Sequence, residues 1–360
     1  MGALLDRFRR LWQSPERAAP AAARPAQAAV SPAPARPPAP PPDPFAAFAE
    51  ALAIPVPPAP PPLPEREAAD EPLLAELVLG HFRKNRPGPA SAPSTSLRIL
   101  NLVATPDADI GELARLVSAD PALAAGVLGV ANAAAYRGRS EVETVRDAIA
   151  RLGFEEVARI AGAVSAKSLF SPKLKAELAA FGDLFGALHR RALTVASGAA
   201  WLALQRPGAR SDRAFLGGML HDVGKSIALR SVAALVLDGE LRLQPGEPRM
   251  ARLLDRVHLA VGAEVHAEWR LPQYLADIAT RHHEAGVPAE AATLDLHVVR
   301  LAAAVQDLRE EPLFAHRAAA EVLQSSAALG LEPREVRAFA AEMRAGSQRL
   351  AAAFGLAGRR

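Results

Sequence analysis

The residues best suited to chemistry in this chain are histidines, and their order along the sequence carries information. His189 comes first, then the adjacent pair His221-Asp222 in "GMLHDVGKSIAL", then His258, His266 and the pair His282-His283. Neighbouring helical residues point about 100° apart, so His221 and Asp222 converge only on something just off the helix surface between them. A metal ion has the size and charge for that position. His189, His258 and His282 or His283 each fall in a separate helical segment and could supply further ligands, which makes His189, His221, Asp222, His258, His282 and His283 the candidate metal set. The chain has no cysteine, and His with carboxylate ligands suits a divalent transition metal: Mn, Fe, Zn or Ni. A carboxylate shared by two ions would permit hydrolysis, with a metal-bound hydroxide attacking a phosphate ester. In that case Asp222 is catalytic and Lys225, three residues on, meets the phosphate charge, while Gly224 lets backbone come close. The competing reading is a set of core histidines, bonded to one another and to backbone carbonyls, in a site that turns nothing over.

These residues must be held by helices. Half of the 360 residues are hydrophobic but only 5% are aromatic, which favours closely packed Ala, Leu and Val on helices over sheets. Apolar residues recur at three- and four-residue spacing, and the fold class is all-α. Asp109 with Glu112 suits a capping box before Ile110, and Asp120-Pro121 reads as an N-cap followed by proline at the first helical position. "EVETVRDAIARLG" carries Val142, Val145, Ala148, Ile149 and Leu152 on one face and stops at Gly153, with another helix from Phe154. These segments read as a bundle from about 72 to 170, with Leu128 and Ile149 in its core. Longer helices are expected near 174–204, 213–222, 226–237, 249–269, 273–284, 292–308, 313–329 and 333–354. His266 and Trp269 are expected to pack a helix end, Asn132 to cap or bridge helices, Trp201 to lie in the core, and His297 and His316 to be surface or packing residues.

The beginning of the chain differs. "MGALLDRFRRLWQ" places Leu4, Leu5, Phe8, Leu11 and Trp12 at helical spacing with Arg7, Arg9 and Arg10 between them, a short basic amphipathic helix over 1–13 that could touch a membrane surface weakly or serve as a frayed terminus. Residues 14–70 are dominated by Pro and Ala, and proline denies the backbone its helical hydrogen bonds, so this stretch reads as a disordered tether. The net charge is +3 with no face-long basic run, which argues against a nucleic-acid partner. No segment reaches the roughly eighteen apolar residues of a transmembrane helix. A cytoplasmic location is expected.

Several stretches resemble a known family. "DPALAAGVLGVANAAAY", "TVRDAIARLG", "FLGGMLHDVGK", "HLAVGAEVHAEWRLP" and "IATRHHEAG" are similar to successive signatures of the bacterial HDOD domain, a relative of the HD-type phosphohydrolases. The resemblance runs from roughly 72 to 308. It implies an HDOD-like domain over 71–308 with an HD-like part from about 174, followed by C-terminal helices over 309–360 packing on it. It also implies a signal-transduction module, commonly without catalysis, that acts through protein interaction or switching with a kinase, a receiver or components of a cyclic-dinucleotide pathway. The alternative is a metal-dependent phosphohydrolase acting on a nucleotide or cyclic dinucleotide. Similarity to the HD-GYP branch of cyclic di-GMP phosphodiesterases would place ligands at His221, Asp222, His258, His282 and His283, with Lys225 assisting. The loop after "HHEAG" lacks the GYP signature, however, and Ala303 stands where the active enzymes carry a last metal-binding aspartate. Asp307 lies one helical turn further on, about 6 Å along the axis, and Asp307 and Asp295 are the residues to consider for the missing ligand.

Overall fold

The computed structural model describes residues 64–85, 94–105, 108–132 and 142–353. The chain divides into two units, Met1–Pro41 and Pro42–Arg360, and everything described belongs to the second. The expected amphipathic helix over 1–13 and nearly all of the Pro/Ala tether lie outside the described residues.

The described chain is helical, with no strand among its residues. The first helix, α1 (Glu65–Lys84), starts inside the stretch read as tether, directly after Pro64. It does not join the bundle that follows it in sequence. Its acidic residues Asp70 and Glu71 meet Arg249 and Arg252, and Arg83 meets Glu264 at 2.8 Å, so α1 lies along a helix of the second half.

The first bundle comprises α2 (Ser94–Ala104), α3 (Ile110–Ala119), α4 (Pro121–Ala131), α5 (Val145–Leu152) and α6 (Phe154–Lys167). Local sequence sets its boundaries. Asp109 accepts from Gly111 N at 2.7 Å, Asp120 from Leu123 N at 3.1 Å and Thr144 from Asp147 N at 3.1 Å, and each satisfies a first-turn donor that the helix cannot. Gly153, at φ 81°, closes α5. Val142 precedes α5 rather than lying on its face. Asn132 holds it by a reciprocal pair of 2.8 Å bonds to the Val142 backbone, the bridging expected of that residue. Ile149 is buried as expected, but Leu128 is only partly buried, because Val127 takes the inward position on α4.

The second half consists of α7 (Lys175–Leu204), α8 (Ser211–Leu220), α9 (Val223–Leu237), α10 (Pro248–Glu268), α11 (Gln273–Arg281), α12 (Leu294–Glu310), α13 (Ala315–Ala328) and α14 (Pro333–Ala353). The thirty-residue α7 organises it. One side of α7, through Phe181, Phe185, Ala192 and Ala196, joins a core shared with the first bundle, α9 and α10. Its other side, through Val195, Ala199 and Leu202, joins a second core with α12, α13 and α14. From Leu296 to Leu308 every residue of α12 is buried, the pattern of a helix enclosed on all sides. Among the described residues no single helix is long and apolar enough to cross a membrane.

Candidate metal centre

His221 and Asp222 do not lie within one helix. α8 ends at Leu220 and α9 begins at Val223, so the pair forms the joint between them, with Lys225 N bonding back to Asp222 O at 2.9 Å. The break in helical backbone at Asp222, at φ −107° and ψ 17°, lets two adjacent side chains face one point, which an unbroken helix would not. Close helix contact brings the other residues there. A Cβ on Gly224 would lie 2.0 Å from His258 O, so α9 and α10 touch backbone to backbone, and only glycine allows it. α11 then delivers His282 and His283 from its C-terminal end.

Asp222, 4% exposed, is the hub. Its Oδ1 lies 3.5 Å from both His258 Nε2 and His282 Nε2, which are themselves 3.4 Å apart. Its Oδ2 receives Lys225 Nζ at 2.9 Å and Arg191 Nε at 3.2 Å, with His221 Nε2 at 3.4 Å. Arg191 also donates to Asp307, and so spans two buried carboxylates. Behind His283, Nδ1 shares a 2.7 Å hydrogen bond with Glu321 Oε1, and Arg317 grips Asp255 through two bonds of 2.6 and 2.7 Å.

The charge states follow from burial and neighbours. Burial pushes His221 and His258 down to about 3, so both are neutral at pH 7. His283 is lowered too, by burial and then by His282 and Arg317. Burial alone would raise Asp222, but the cations Lys225 and Arg191 outweigh it and hold the carboxyl well below the usual range. Burial lifts Glu321 to about 8 against the pull of Arg317.

The donor set fits a first-row metal. His221, His258 and His282 each direct Nδ1 at a backbone carbonyl, of Gly218, Asp255 and Ile278. A neutral ring that donates from Nδ1 has a bare lone pair at Nε2, which is how metal-binding histidines are oriented. His221 Nε2, His283 Nε2 and Asp222 Oδ1 are buried without a hydrogen-bond partner, and Asp222 Oδ1 faces the Nε2 lone pairs of His258 and His282. A cation bound among them would relieve that arrangement. The mutual spacings of 3.4, 3.5 and 3.5 Å among His258 Nε2, His282 Nε2 and Asp222 Oδ1 match the edge of about 3.4 Å of a tetrahedron with metal–ligand bonds near 2.0–2.1 Å. His258, His282 and His283 also present ring nitrogens within 4.8 Å of one another.

The structure therefore gathers His221, Asp222, His258, His282 and His283, with Lys225 beside them, but does not bring His189 to them. His189 stacks on Phe170 at 5.7 Å and is depressed to about 4 by burial. Arg191 is the α7 residue that points at Asp222, and residues two apart on a helix face nearly opposite ways. Asp307 meets Arg191 instead of a histidine, and Asp295 is paired with Arg213 at 2.9 Å. Sequence reasoning passed over Arg191, Asp255, Arg317 and Glu321. Arg191 had a readable signal, since it continues the stripe Leu184, Leu188, Val195 at helical spacing. His266 and Trp269 are buried as expected, His297 is buried and bonds Pro288 O, His316 is exposed, and Trp201 is partly buried against Phe339.

The chain belongs to the HDOD domain family, whose model matches residues 90–285. Its structure is similar to a protein from Shewanella amazonensis SB2B named "Putative metal-dependent phosphohydrolase", at 18% identity over 76% of this chain and 99% of that one, TM-score 0.53. It is similar also to a "Putative signal transduction protein" from Marinobacter aquaeolei VT8, at 18% identity over 84% of this chain and 68% of that one, TM-score 0.55. Both likenesses show the fold. No curated protein matches the sequence significantly. The matched span ends before α12 and α13, which supply Asp307, Arg317 and Glu321.

Proposed function

We propose that this protein is a regulatory module of bacterial signal transduction that keeps a metal-binding core without turning over a substrate. It would act on a kinase, a receiver or a component of a cyclic-dinucleotide pathway. The observation that carries this reading is how the groups around Asp222 are already paired. Lys225 is held by Asp222 and lies 3.8 Å from Asp255, and Asp307 is held by Arg191. Neither is left to meet a substrate phosphate or to complete a two-ion site. The donors at the centre are buried, with His258 and His282 each 1% exposed. His221, Asp222, His258, His282 and His283 would hold the ion. A bound ion of this kind can acidify water for hydrolysis when a coordination position is open. Here the chain's own residues support a different role, which is tying the α8–α9 joint to α10 and α11 and so stiffening the module's second half.

Metal analysis, melting and hydrolysis together test the reading. The purified chain is expected to contain a first-row metal, to melt at lower temperature after chelation, and to recover when metal returns; Asp222→Asn and His282→Ala should lose both the metal and the shift. Loaded protein should leave a generic phosphodiester intact. Hydrolysis that disappears with Asp222→Asn would replace this reading with the phosphohydrolase one that the Shewanella relative's name suggests. Metal-free protein indifferent to added metal would remove the metal from it.

A further inference from the structure

The two oxygens of Asp222 have different surroundings. Oδ1 faces His258 Nε2 and His282 Nε2 and has no hydrogen-bond partner, while Oδ2 is occupied by Arg191 Nε at 3.2 Å and Lys225 Nζ at 2.9 Å. Arg191 then continues through Nη1 to Asp307 Oδ1. A carboxylate that bridges two ions offers one oxygen to each, with a further carboxylate on the second ion. In this chain a guanidinium stands between the two carboxylates where a second ion would have to sit.

We propose that Arg191 is a built-in replacement for a second metal ion, restricting the centre to one ion on the Oδ1 side and holding Asp307 away from it. The inference rests on the metal reading above and adds its stoichiometry. It has a physical basis in how guanidinium works: the group is permanently charged, planar, and carries donors at Nε and Nη that reach two carboxylates at once. Arg191 and both of its partners are buried, at 8%, 4% and 2% exposure for Arg191, Asp222 and Asp307. Removing the arginine would leave Asp307 buried without its partner and Asp222 with Lys225 alone, an arrangement that costs stability until a cation fills the gap. A divalent ion has the right charge to do so. Ala303, which cannot ligate, lies one turn before Asp307 on α12, so Asp307 is the acidic residue available to that second position.

Manganese titration of the chelator-stripped full-length chain tests this, read by bound metal per chain and by the electron paramagnetic resonance signal. The wild type should bind one equivalent and give the signal of an isolated ion. Arg191→Gln should bind two and give that of an exchange-coupled pair, while Arg191→Lys, which keeps the charge, should stay at one. Asp307→Asn should also stay at one with its affinity within about threefold of the wild type, since Asp307 is a partner of Arg191 and not a ligand. The wild-type count and Asp307→Asn decide the matter even if Arg191→Gln does not fold. Two ions in the wild type, one ion in folded Arg191→Gln, or loss of metal in Asp307→Asn would each overturn the inference and leave the metal reading standing. A wild type that takes up neither manganese nor iron, zinc or nickel would overturn both.

Discussion

The first bundle, α2 to α6, and the region from α7 to α13 are built from the same short-linked helices but bury different things. Between residues 94 and 167 the buried polar side chain among the described residues is Ser165; from Glu177 onward the interior takes in His189, Arg191, His221, Asp222, Lys225, His258, His282, Arg300, Asp307 and Glu321. The first region is held by apolar burial and helix caps, which need no particular charge state. In the second, each ion taken from water must be offset by a partner, and removing one partner leaves the other exposed to the full penalty. The stability of one half should therefore follow volume, and that of the other should follow pairing, pH and metal.

The largest effect expected is at Gly224. A side chain there meets His258 O at 2.0 Å, backbone that cannot give way without parting α9 from α10. Gly224→Ala should cost at least about 3 kcal/mol in a urea melt and abolish metal uptake, since His258 moves away from Asp222. A loss below about 1 kcal/mol with metal retained would mean that the helix contact is looser than described. The matching change in the first bundle is Ile149→Ala, expected to cost about 2–5 kcal/mol with metal content unchanged, because no residue of α2 to α6 reaches the centre. If Ile149→Ala lost metal as readily as Gly224→Ala, the division into two regimes would fail.

How much could be read beforehand divides along the same line. Helix spans in the second half came within about three residues of those observed, and the caps at Asp109 and Asp120 were visible, because periodicity and capping are local properties. The gathering of His221, Asp222, His258, His282 and His283 was also legible, since their types and order limited what they could do together. What stayed hidden was long-range. Arg191 and Asp307 are 116 residues apart, and nothing in local spacing says which of two neighbouring helical residues, His189 or Arg191, faces the site. α1 looked like part of the bundle beside it in sequence, whereas its partners Arg249 and Arg252 lie on α10. α13 looked like an appendage, yet its Glu321 supports His283.

A smaller effect concerns acid. Burial pushes His189 and His266 down to about 4, and neither belongs to the metal cluster. The unfolded chain protonates these rings near 6.5 while the folded chain does not, so the unfolded state binds more protons below that value. Stability is then full above about pH 7, falls as pH drops through 6.5, and stops falling from this source near 4. At pH 5 each ring should account for roughly 2 kcal/mol of the loss. His266→Leu should flatten the dependence between pH 7 and 5, measured by chemical melts at each pH. An unchanged slope would show that His266 is protonated in the folded protein.

The smallest effect completes the contrast from the other side. Thr144 caps α5, accepting from Asp147 N at 3.1 Å and donating to Asp147 Oδ2 at 2.7 Å, and its side chain is exposed. Thr144→Ala removes one acceptor from one helix end together with the donor to Asp147 Oδ2, so the cost should be about 1 kcal/mol, and Thr144→Ser should recover most of it because the hydroxyl is what caps. That cost should be independent of metal, since the centre lies in the other half. The part carried by the bond from Asp147 N should also survive the change from pH 7 to 5, because a hydroxyl accepting from a backbone amide involves no group that must ionise. Urea melts with and without chelator at both values measure it. A cap whose worth vanished on chelation would show that α5 and the metal centre are energetically linked, and the two halves would then have to be treated as one cooperative unit.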